Sequence, residues 1–454
     1  MDASSTTGSG TSRRGFLAML AMAPLAGAAL SACGTSGPSG SGGGGGGDGK
    51  ASMWYLSGQP NEKIKGDNIA TWNKANPDDT IAITYFQNDA YKTKIKTAIG
   101  AGQAPTIIYS WGGGTLASYA AASQVADLTD WFGQNPDVKN SVLASTFQAA
   151  TVDGKIYAYP NENAALIIFY YNKKLFDQVG AQPPTTYAEL QALVEKFKGA
   201  GIAPIALAGQ SRWTSMMWLE YFFDRIGGPE VFQAIFDGTA NAWSNPDAVK
   251  ALQATQDLVK SGAFIKGFES ITADSNADQA LLYTDKAAMM LHGSWVYSGI
   301  KNDAADFVSA GNLGWFAFPS IEGGKGDVKN VAGNPAQYMS ISSKASQEQQ
   351  DIAKKYFADK ENGIFCEAVI DAYIESGQVC VAAGIEDKIA QSKDKDFLGF
   401  CYDAIKNAPS FVQSWDQALS PTQAEALLSN IDQLFSLSIT PEQFAQNMDA
   451  TIGK

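Results

Sequence analysis

Hydrophobic and polar residues follow two alternating periods after residue 50, and these periods predict strands and helices in turn. Asn76-Pro77 is a stop signal for the first helix. A strand–helix alternation is typical of βαβ units that share a largely parallel sheet. The predicted strands are 51–57, 80–86 and 105–110, and the predicted helices are 62–75, 90–100 and 115–122.

Turn and cap signals continue this pattern to the end of the chain. Asp153-Gly154 predicts a hairpin, Thr186 and Glu189 form a capping box, and Thr440-Pro441 opens the last helix. Two α/β lobes are compatible with the element order, although local pattern does not reveal which strands share a sheet. Further strands are predicted at 166–171, 202–207, 287–291 and 313–318, and further helices at 186–197, 213–226, 245–259, 277–282 and 347–358.

The N-terminal segment has the features of an export signal. Arg13-Arg14 precede an apolar stretch at 17–30 that is too short to remain across a bilayer. The small residues Ser31 and Ala32 before Cys33 resemble a site of lipid attachment. We therefore expect a twin-arginine signal at 1–32, a lipid anchor on Cys33 and a flexible Gly/Ser tether at 33–50. An ordinary secretory signal with an incidental cysteine is the alternative.

Composition excludes some partners and cofactors. A net charge of −13 argues against nucleic acid, whose phosphates would find nothing to neutralise them. Cys366, Cys380 and Cys401 allow at most one disulfide, and all three pairings stay open. Their spacing matches no C-x-x-C motif, and with His292 as the single histidine we expect no metal and no cofactor. We assign His292, at a strand end, a structural role.

Motifs of common enzyme classes are missing from the sequence. It contains neither a phosphate-binding P-loop nor a G-x-S-x-G nucleophile turn. The run from Trp111 through Gly112 to Thr115 follows a predicted strand and has two interpretations. It either brings backbone N–H groups close to a polar ligand or is simply a tight turn into a helix.

Tryptophan supplies the strongest sign of a binding site. Trp111, Trp213, Trp295 and Trp415 stand beside glycine or polar residues at predicted element ends. A flat indole packs against the apolar face of a sugar ring, and polar side chains bond its hydroxyls. The alternative for each residue is a place in the core. Five other tryptophans fit that alternative better: Trp72, Trp131, Trp218, Trp243 and Trp315.

Six segments, in the correct order, resemble the sugar-binding solute-binding proteins of bacterial ABC importers, the group that includes maltose-binding protein. The likeness extends over about residues 51–454, and Thr106 stands where the group usually has Asp. The segments are 102–109 ("G-x-x-P-D-I"), 125–129 ("G-x-L-x-D-L-T"), 154–160 ("G-K-x-Y-G-x-P"), 170–176 ("Y-N-K-x-L-F"), 184–190 ("P-x-T-W-x-E-L") and 286–295 ("G-K-A-A-M-x-x-x-G-x-W").

The resemblance implies an α/β, two-lobed periplasmic-binding-protein fold of type II with the ligand cleft between the lobes. It implies a binding protein rather than an enzyme. Such a binding protein works as a monomer with ABC permease subunits, on the extracellular face of the cell membrane. Hinge closure would capture the sugar. The implied lobes are 51–160 and 313–380 for lobe 1, and 161–312 and 381–454 for lobe 2.

The resemblance also implies the site residues. Trp295 and Trp415 correspond to aromatic platforms for sugar rings, and Trp213 is a third. Arg212 is the one base of the expected lining. The expected hydroxyl-bonding positions are Asn88, Asp89, Trp111, Gly112, Asn161, Glu162 and Asn334.

The identity of the ligand is the least determined point. The runs 87–92 and 212–220 are similar to proteins that bind xylo-oligosaccharides, so xylobiose is the first candidate. Cellobiose, chitobiose and α-glucosides remain open. Two other classes also remain: a secreted glycoside hydrolase, which needs two suitably spaced carboxylates, and an adhesin without a transporter.

Overall fold

A computed structural model describes residues 49–453 of the chain. The predicted signal at 1–32, the predicted lipid anchor Cys33 and nearly all of the predicted tether lie outside the described residues. Between residues 49 and 453, no helix combines the length and apolar character that crossing a membrane requires.

The strands form two larger sheets and one small hairpin. The sequence pattern predicted most of the strands. The hairpin turns at Asp153 and Gly154, both with positive φ, as the sequence predicts. The strands are β1 (Ala51–Leu56), β2 (Ile81–Phe86), β3 (Ile107–Ser110), β4 (Thr151–Val152), β5 (Lys155–Ile156), β6 (Tyr159–Asn161), β7 (Ala165–Asn172), β8 (Ala203–Ala206), β9 (Ala287–Gly293), β10 (Leu313–Phe316), β11 (Val331–Asn334), β12 (Gln337–Ile341) and β13 (Phe411–Gln413).

The helices cover the faces of both sheets. Capping boxes at Thr186 and Thr440 open two of them, as predicted, and Ser346 opens a third in the same way. They are α1 (Asn61–Ala75), α2 (Asn88–Gly100), α3 (Gly113–Ala121), α4 (Thr129–Gln134), α5 (Pro136–Lys139), α6 (Lys173–Gln178), α7 (Tyr187–Gly199), α8 (Trp213–Gly227), α9 (Pro229–Phe236), α10 (Pro246–Lys260), α11 (Ala277–Tyr283), α12 (Val296–Asp303), α13 (Ala305–Ser309), α14 (Gln347–Ala358), α15 (Glu367–Ser376), α16 (Glu386–Gln391), α17 (Lys395–Asn407), α18 (Trp415–Ala418), α19 (Pro421–Phe435) and α20 (Pro441–Asp449).

The first sheet has the strand order β2-β1-β3-β12-β6. Its first three strands are parallel, whereas β12 runs antiparallel to both of its neighbours. Along β1, fully buried positions alternate with half-buried ones, which is the period expected of a strand with one face on the core. The parallel strands all end at the same edge, where Tyr109 and Trp111 lie.

The second sheet has the order β13-β11-β7-β9-β8, and β10 also pairs with β7. Seven of the eight residues of the central strand β7 are buried, because helices cover both faces of this sheet. The ends of β9 and β11 bring Trp295 and Asn334 to the edge that faces the first sheet.

Two short connections link the sheets, and a third segment runs beside them. The chain leaves β6 at Asn161 and enters β7 at Ala165, and it returns between β11 and β12. The N–H of Val381 donates to the Glu162 carbonyl at 2.8 Å beside the first connection. β10 and β11 follow the boundary expected at residue 313, and both hydrogen-bond to β7 in the second sheet. We propose the return at 335–336; the other lobe boundaries stay predictions.

Three cysteines lie in the core as free thiols. Cys366, Cys380 and Cys401 are all buried and unpaired, so the disulfide that the sequence allowed is not formed in this structure. Burial raises the pKa of Cys380 to about 12 and also raises the pKa of Cys401. These thiols act in packing, as small apolar groups.

Candidate functional site

A cavity of about 240 Å³ lies where the ends of the two sheets meet, and we call it the inner cavity. Tyr55 and Tyr109 reach it from the first sheet. Trp295 and Asn334 reach it from the second, at the ends of β9 and β11. Crevices outside the carboxyl ends of strands are where open α/β sheets bind ligands. The inner cavity is therefore the candidate binding site.

The predicted site residues separate into three groups. Asp89 and Arg212 line a second cavity of about 710 Å³ beside the first, which we call the outer cavity. Gly112, Asn161 and Trp415 line neither cavity. The other six predicted residues line the inner cavity: Asn88, Trp111, Glu162, Trp213, Trp295 and Asn334.

Trp415 is a core residue, and its prediction as a platform is wrong. Its exposed fraction is 0%, and its indole stacks on Phe232 with 4.7 Å between ring centroids and 7° between planes. Its polar neighbours Asp416 and Gln417 do line the inner cavity. Since α18 begins at Trp415 and helical residues turn about 100° per position, the neighbours face the cavity while the indole faces the core.

Gly112 and Asn161 have structural positions. Gly112 has a φ of +75°, and a Cβ there would collide with the carbonyl oxygen of Ala149, so the backbone at this position requires glycine. Asn161 is fully buried, and its amide donates to the Gln337 carbonyl at 3.4 Å. Neither residue lines the inner or the outer cavity.

Indoles stand on opposite sides of the inner cavity. Trp111 comes from the first sheet and stands edge-on to Tyr109, with 5.2 Å between centroids. Trp213 and Trp295 come from the second sheet's side, with 6.1 Å between centroids and 41° between planes. Gly293 permits this placement, because a Cβ there would overlap the Trp295 ring. The cavity thus has flat apolar faces on two sides.

His292 packs against the two indoles of the second sheet's side and also lines the inner cavity. Its ring is 5.4 Å from Trp213 and 5.3 Å from Trp295, centroid to centroid, and only 2% of the residue is exposed. Its Nδ1 accepts from the Gly293 N–H, and its Nε2 lies 3.2 Å from a carboxylate oxygen of Asp278. The expected structural role of His292 agrees with this burial.

A chain of amides and phenols forms the floor of the cavity. The Tyr109 hydroxyl donates to Gln337 Oε1 at 2.9 Å, and Gln337 Nε2 donates to Asn163 Oδ1 at 3.3 Å. The amide of Asn163 in turn donates to Gln378 at 2.6 Å. These bonds fix side chains from β3, β12, the first connection between the sheets and the segment that follows α15, so the floor is preorganised for polar contacts.

Glu162 presents a buried carboxylate to the inner cavity. Its Oε1 accepts from the Tyr55 hydroxyl at 2.5 Å, whereas its Oε2 has no hydrogen-bond partner among the described residues. Burial raises the pKa of Glu162, while the charge of Lys65 and the Tyr55 hydrogen bond lower it. Lys65 is itself fully buried, 5.6 Å above the Tyr55 ring. Glu162 also has a φ of +64°, a strained value that is common at functional sites.

The start of α2 is bound tightly to the second sheet's side of the cleft. Asp89 accepts from Trp213 Nε1 at 3.1 Å and from Ser211 Oγ at 2.9 Å. Lys92 pairs with Asp416 at 2.8 Å. Asp274 accepts from the Asp89 N–H at 3.2 Å, and burial, with the charge of Asp89, raises the pKa of Asp274. The cleft is therefore closed over both cavities at this point.

Sequence reasoning missed several lining residues. Tyr55, Tyr109 and Gln337 lie within strands and look like ordinary core positions. Lys92 and Asp416 look like solvated helix charges. Polar or aromatic residues at the last positions of parallel strands are the one signal that could have indicated Tyr55 and Tyr109.

The chain belongs to a family described as bacterial extracellular solute-binding proteins, whose model matches residues 57–358. A "Probable sugar-binding periplasmic protein" of Mesorhizobium japonicum is 27% identical over 239 residues, which are 52% of this chain and 54% of the relative. An "sn-glycerol-3-phosphate-binding periplasmic protein" of Yersinia pestis is 28% identical over 226 residues, which are 47% and 50%. The chain spans about half the length of these curated relatives.

Solved structures match the fold over nearly the whole chain. One, from work on xylan utilization by the thermophilic bacterium Caldanaerobius polysaccharolyticus, has a TM-score of 0.80 and 32% identity, and the match covers 89% of this chain and 100% of the other. A "Chitin oligosaccharide binding protein" has a TM-score of 0.77 and 25% identity, with 88% and 97% covered. The predicted two-lobed α/β solute-binding fold is confirmed.

Proposed function

We propose that this protein is the solute-binding subunit of a bacterial ABC importer and captures a short neutral oligosaccharide. The observation that carries the proposal is the placement of Trp111 opposite Trp213 and Trp295 around one small cavity. Two sugar-ring faces can be covered at once by such a pair of walls. The amide-and-phenol floor and Glu162 supply acceptors and donors for hydroxyls.

The charge of the lining favours a neutral ligand over an anion. Of the described residues, Lys92 is the single Lys or Arg that lines the inner cavity, and it is paired with Asp416. Glu162 and Asp274 add two carboxyl groups to the lining. A phosphate ligand, such as the one named for the Yersinia pestis relative, would meet these carboxyl groups, and the described lining of the inner cavity offers it no Lys or Arg other than the paired Lys92.

Xylobiose is the first candidate ligand. The likeness of the runs 87–92 and 212–220 to xylo-oligosaccharide binders supports it, and so does the structural likeness to the protein from the xylan-utilization work. Cellobiose and chitobiose are the next candidates. Xylose should bind much more weakly than xylobiose, because one ring covers only one aromatic wall.

A thermal-shift and calorimetry panel tests the ligand class. It includes xylose, xylobiose, cellobiose, chitobiose, maltose and glycerol 3-phosphate. A ligand at about 100 times its Kd should add roughly 2.7 kcal/mol to native stability. A best ligand that is an anion, an amino acid or a peptide would overturn the proposal.

Chromatography of the incubated oligosaccharides tests the alternative of a glycoside hydrolase. A binding protein leaves every sugar intact, whereas a hydrolase releases shorter products. An adhesin is distinguished by its genes: adjacent permease genes support the importer.

We also propose that Cys33 carries a lipid that tethers the protein to the outside of the membrane. The proposal depends on the sequence around Cys33 alone. Cys33→Ala should release the protein into the medium or leave it unprocessed. Membrane fractionation identical to that of the unmodified protein would contradict it.

A further inference from the structure

The inner and outer cavities are neighbours that share a wall. Seven residues line both of them: Lys92, Tyr109, Trp111, Trp213, Asp274, Asp416 and Gln417. The outer cavity, at about 710 Å³, is roughly three times the size of the inner one, at about 240 Å³. What separates the two spaces is therefore a small group of side chains.

The centre of this wall is the ion pair between Lys92 and Asp416. Lys92 Nζ lies 2.8 Å from Asp416 Oδ2, with side-chain exposures of 24% and 6%. The same ammonium lies 5.0 Å from the Trp111 ring centroid and 5.8 Å from that of Trp213. A cation between two indole faces is held by both of them as well as by its carboxylate.

The ion pair also joins the two sides of the cleft. Lys92 is on α2, which follows a strand of the first sheet, and Asp416 is on α18, which follows a strand of the second. Gln417 Nε2 donates to the same Asp416 oxygen at 2.8 Å and keeps it in place. The ion pair thus crosses the cleft between the two cavities.

The outer cavity has the chemistry to receive further sugar units. Trp111 and Trp213 line it as well, so flat apolar surface continues beyond the Lys92–Asp416 ion pair. Hydroxyl and amide side chains such as Thr93, Thr115 and Gln210 line it too, together with charged side chains, among them Lys96, Arg212 and Glu425. This composition resembles that of the inner cavity in its balance of aromatic and polar groups.

We infer that Lys92 and Asp416 together set the length of the bound oligosaccharide. This inference rests on the proposed function. With the ion pair formed, a chain that fills the inner cavity is enclosed, and a longer chain cannot continue into the outer cavity. A longer neutral chain binds only when the pair opens, which costs the interaction of two largely desolvated charges.

The experiment compares affinity across chain length. Calorimetry with xylo-, cello- and chito-oligosaccharides of two to six units gives the ratio of disaccharide to hexasaccharide affinity for each variant. In the unmodified protein this ratio favours the disaccharide by about ten-fold or more. The double variant Lys92→Met/Asp416→Asn removes both charges, leaves no unpaired buried charge, and should reduce the ratio by about ten-fold.

Three further variants control for side effects. Lys92→Arg retains the ion pair and should keep the original length preference. Lys174→Met removes a different ion pair, with Asp285 at 2.6 Å, that lines neither cavity, and should leave the ratio unchanged. Lys92→Met and Asp416→Asn as single changes give independent readings if the double variant folds poorly, which melting curves reveal.

We call the proposed limit on ligand length set by Lys92 and Asp416 the length gate. The outcomes of the experiment distinguish a failure of this gate from a failure of the proposed function. An unmodified protein that binds disaccharides and hexasaccharides equally well overturns the gate alone. The same conclusion follows if the ratio in the double variant equals that of the unmodified protein. If no oligosaccharide of any series binds, the proposed function fails and the gate fails with it.

Discussion

The indole of Trp213 donates its N–H to Asp89 Oδ1 across 3.1 Å, and so binds the proposed sugar platform to the helix on the opposite side of the cleft. The second carboxylate oxygen of Asp89 accepts from Ser211 at 2.9 Å. Asp89 was expected to bond a sugar hydroxyl. In the closed structure both of its oxygens are used by the protein itself, and the residue lines the outer cavity instead.

Asp89→Ala should therefore weaken ligand binding without removing a ligand contact. It deletes two charge-assisted hydrogen bonds that exist only while the cleft is closed, each worth about 1.5–3 kcal/mol at most. We expect a loss of affinity of about ten-fold or more by calorimetry. Small-angle scattering should show a larger radius of gyration for the unliganded variant than for the unmodified protein. Unchanged affinity and radius would contradict this role.

Trp295→Ala should weaken sugar binding and barely affect stability. The indole is half-buried at the cavity edge, and its loss removes apolar surface from the ligand rather than from the core. Burial of a large side chain is worth roughly 1–3 kcal/mol, so affinity should fall about ten- to a hundred-fold. Calorimetry and thermal unfolding of the same preparation separate the two effects.

Trp415→Ala is the matched comparison and should do the reverse. Its indole packs among Phe223, Phe232 and Trp243 with no exposed surface, so truncation should cost about 3–5 kcal/mol of unfolding free energy. Variants that remain folded should bind sugar nearly normally. A normal stability combined with a large loss of affinity would restore Trp415 to the site.

Periodicity and cap signals predicted most strands and many helices, because those features act over a few residues. The capping boxes at Thr186 and Thr440 and the turn at Asp153 are local in this sense. Helix α8 was predicted although 14 of its 15 residues are buried, because its length and the glycines after it are visible in the sequence. Helices such as α17 and α19 were not predicted.

Which side chains face the site depends on tertiary packing, and the local sequence pattern does not indicate that packing. Trp295 and Trp415 have similar polar neighbours, yet one indole faces the cavity and the other faces the core. Lys65 looks like a surface lysine of an exposed helix, but it is fully buried behind Tyr55. Such differences are decided by which elements meet across the cleft, over separations of hundreds of residues.

The three core cysteines should be unreactive in the native protein. Burial raises the pKa of Cys380 to about 12, so almost no thiolate is present near neutral pH, and access is blocked as well. A thiol reagent such as dithionitrobenzoate should label Cys366, Cys380 and Cys401 only after unfolding in denaturant. Peptide mass spectrometry identifies the labelled positions. A disulfide between any two of them, or rapid native labelling, would contradict the prediction.

Glu220 should make the protein less stable as pH rises through neutrality. Only 2% of this residue is exposed; its Oε1 accepts from the Trp415 N–H at 2.8 Å, and its Oε2 has no partner among the described residues. Burial raises the pKa of Glu220 to about 8, with a smaller contribution from the charge of Asp416. The folded protein therefore holds a proton that the unfolded chain, with an ordinary carboxyl pKa of about 4.3, releases.

The sign and size of the effect follow from that difference. Folding is favoured most below the unfolded pKa, and the contribution is lost as pH rises through about 8. The loss should be a few kcal/mol between about pH 5 and pH 9, since each pKa unit corresponds to about 1.4 kcal/mol. Urea unfolding at several pH values should show a flatter profile for Glu220→Gln than for the unmodified protein. Glu230→Gln, on the exposed face of α9, is the control and should retain the original slope. Parallel profiles for Glu220→Gln and the unmodified protein would show that this carboxyl does not carry the pH dependence.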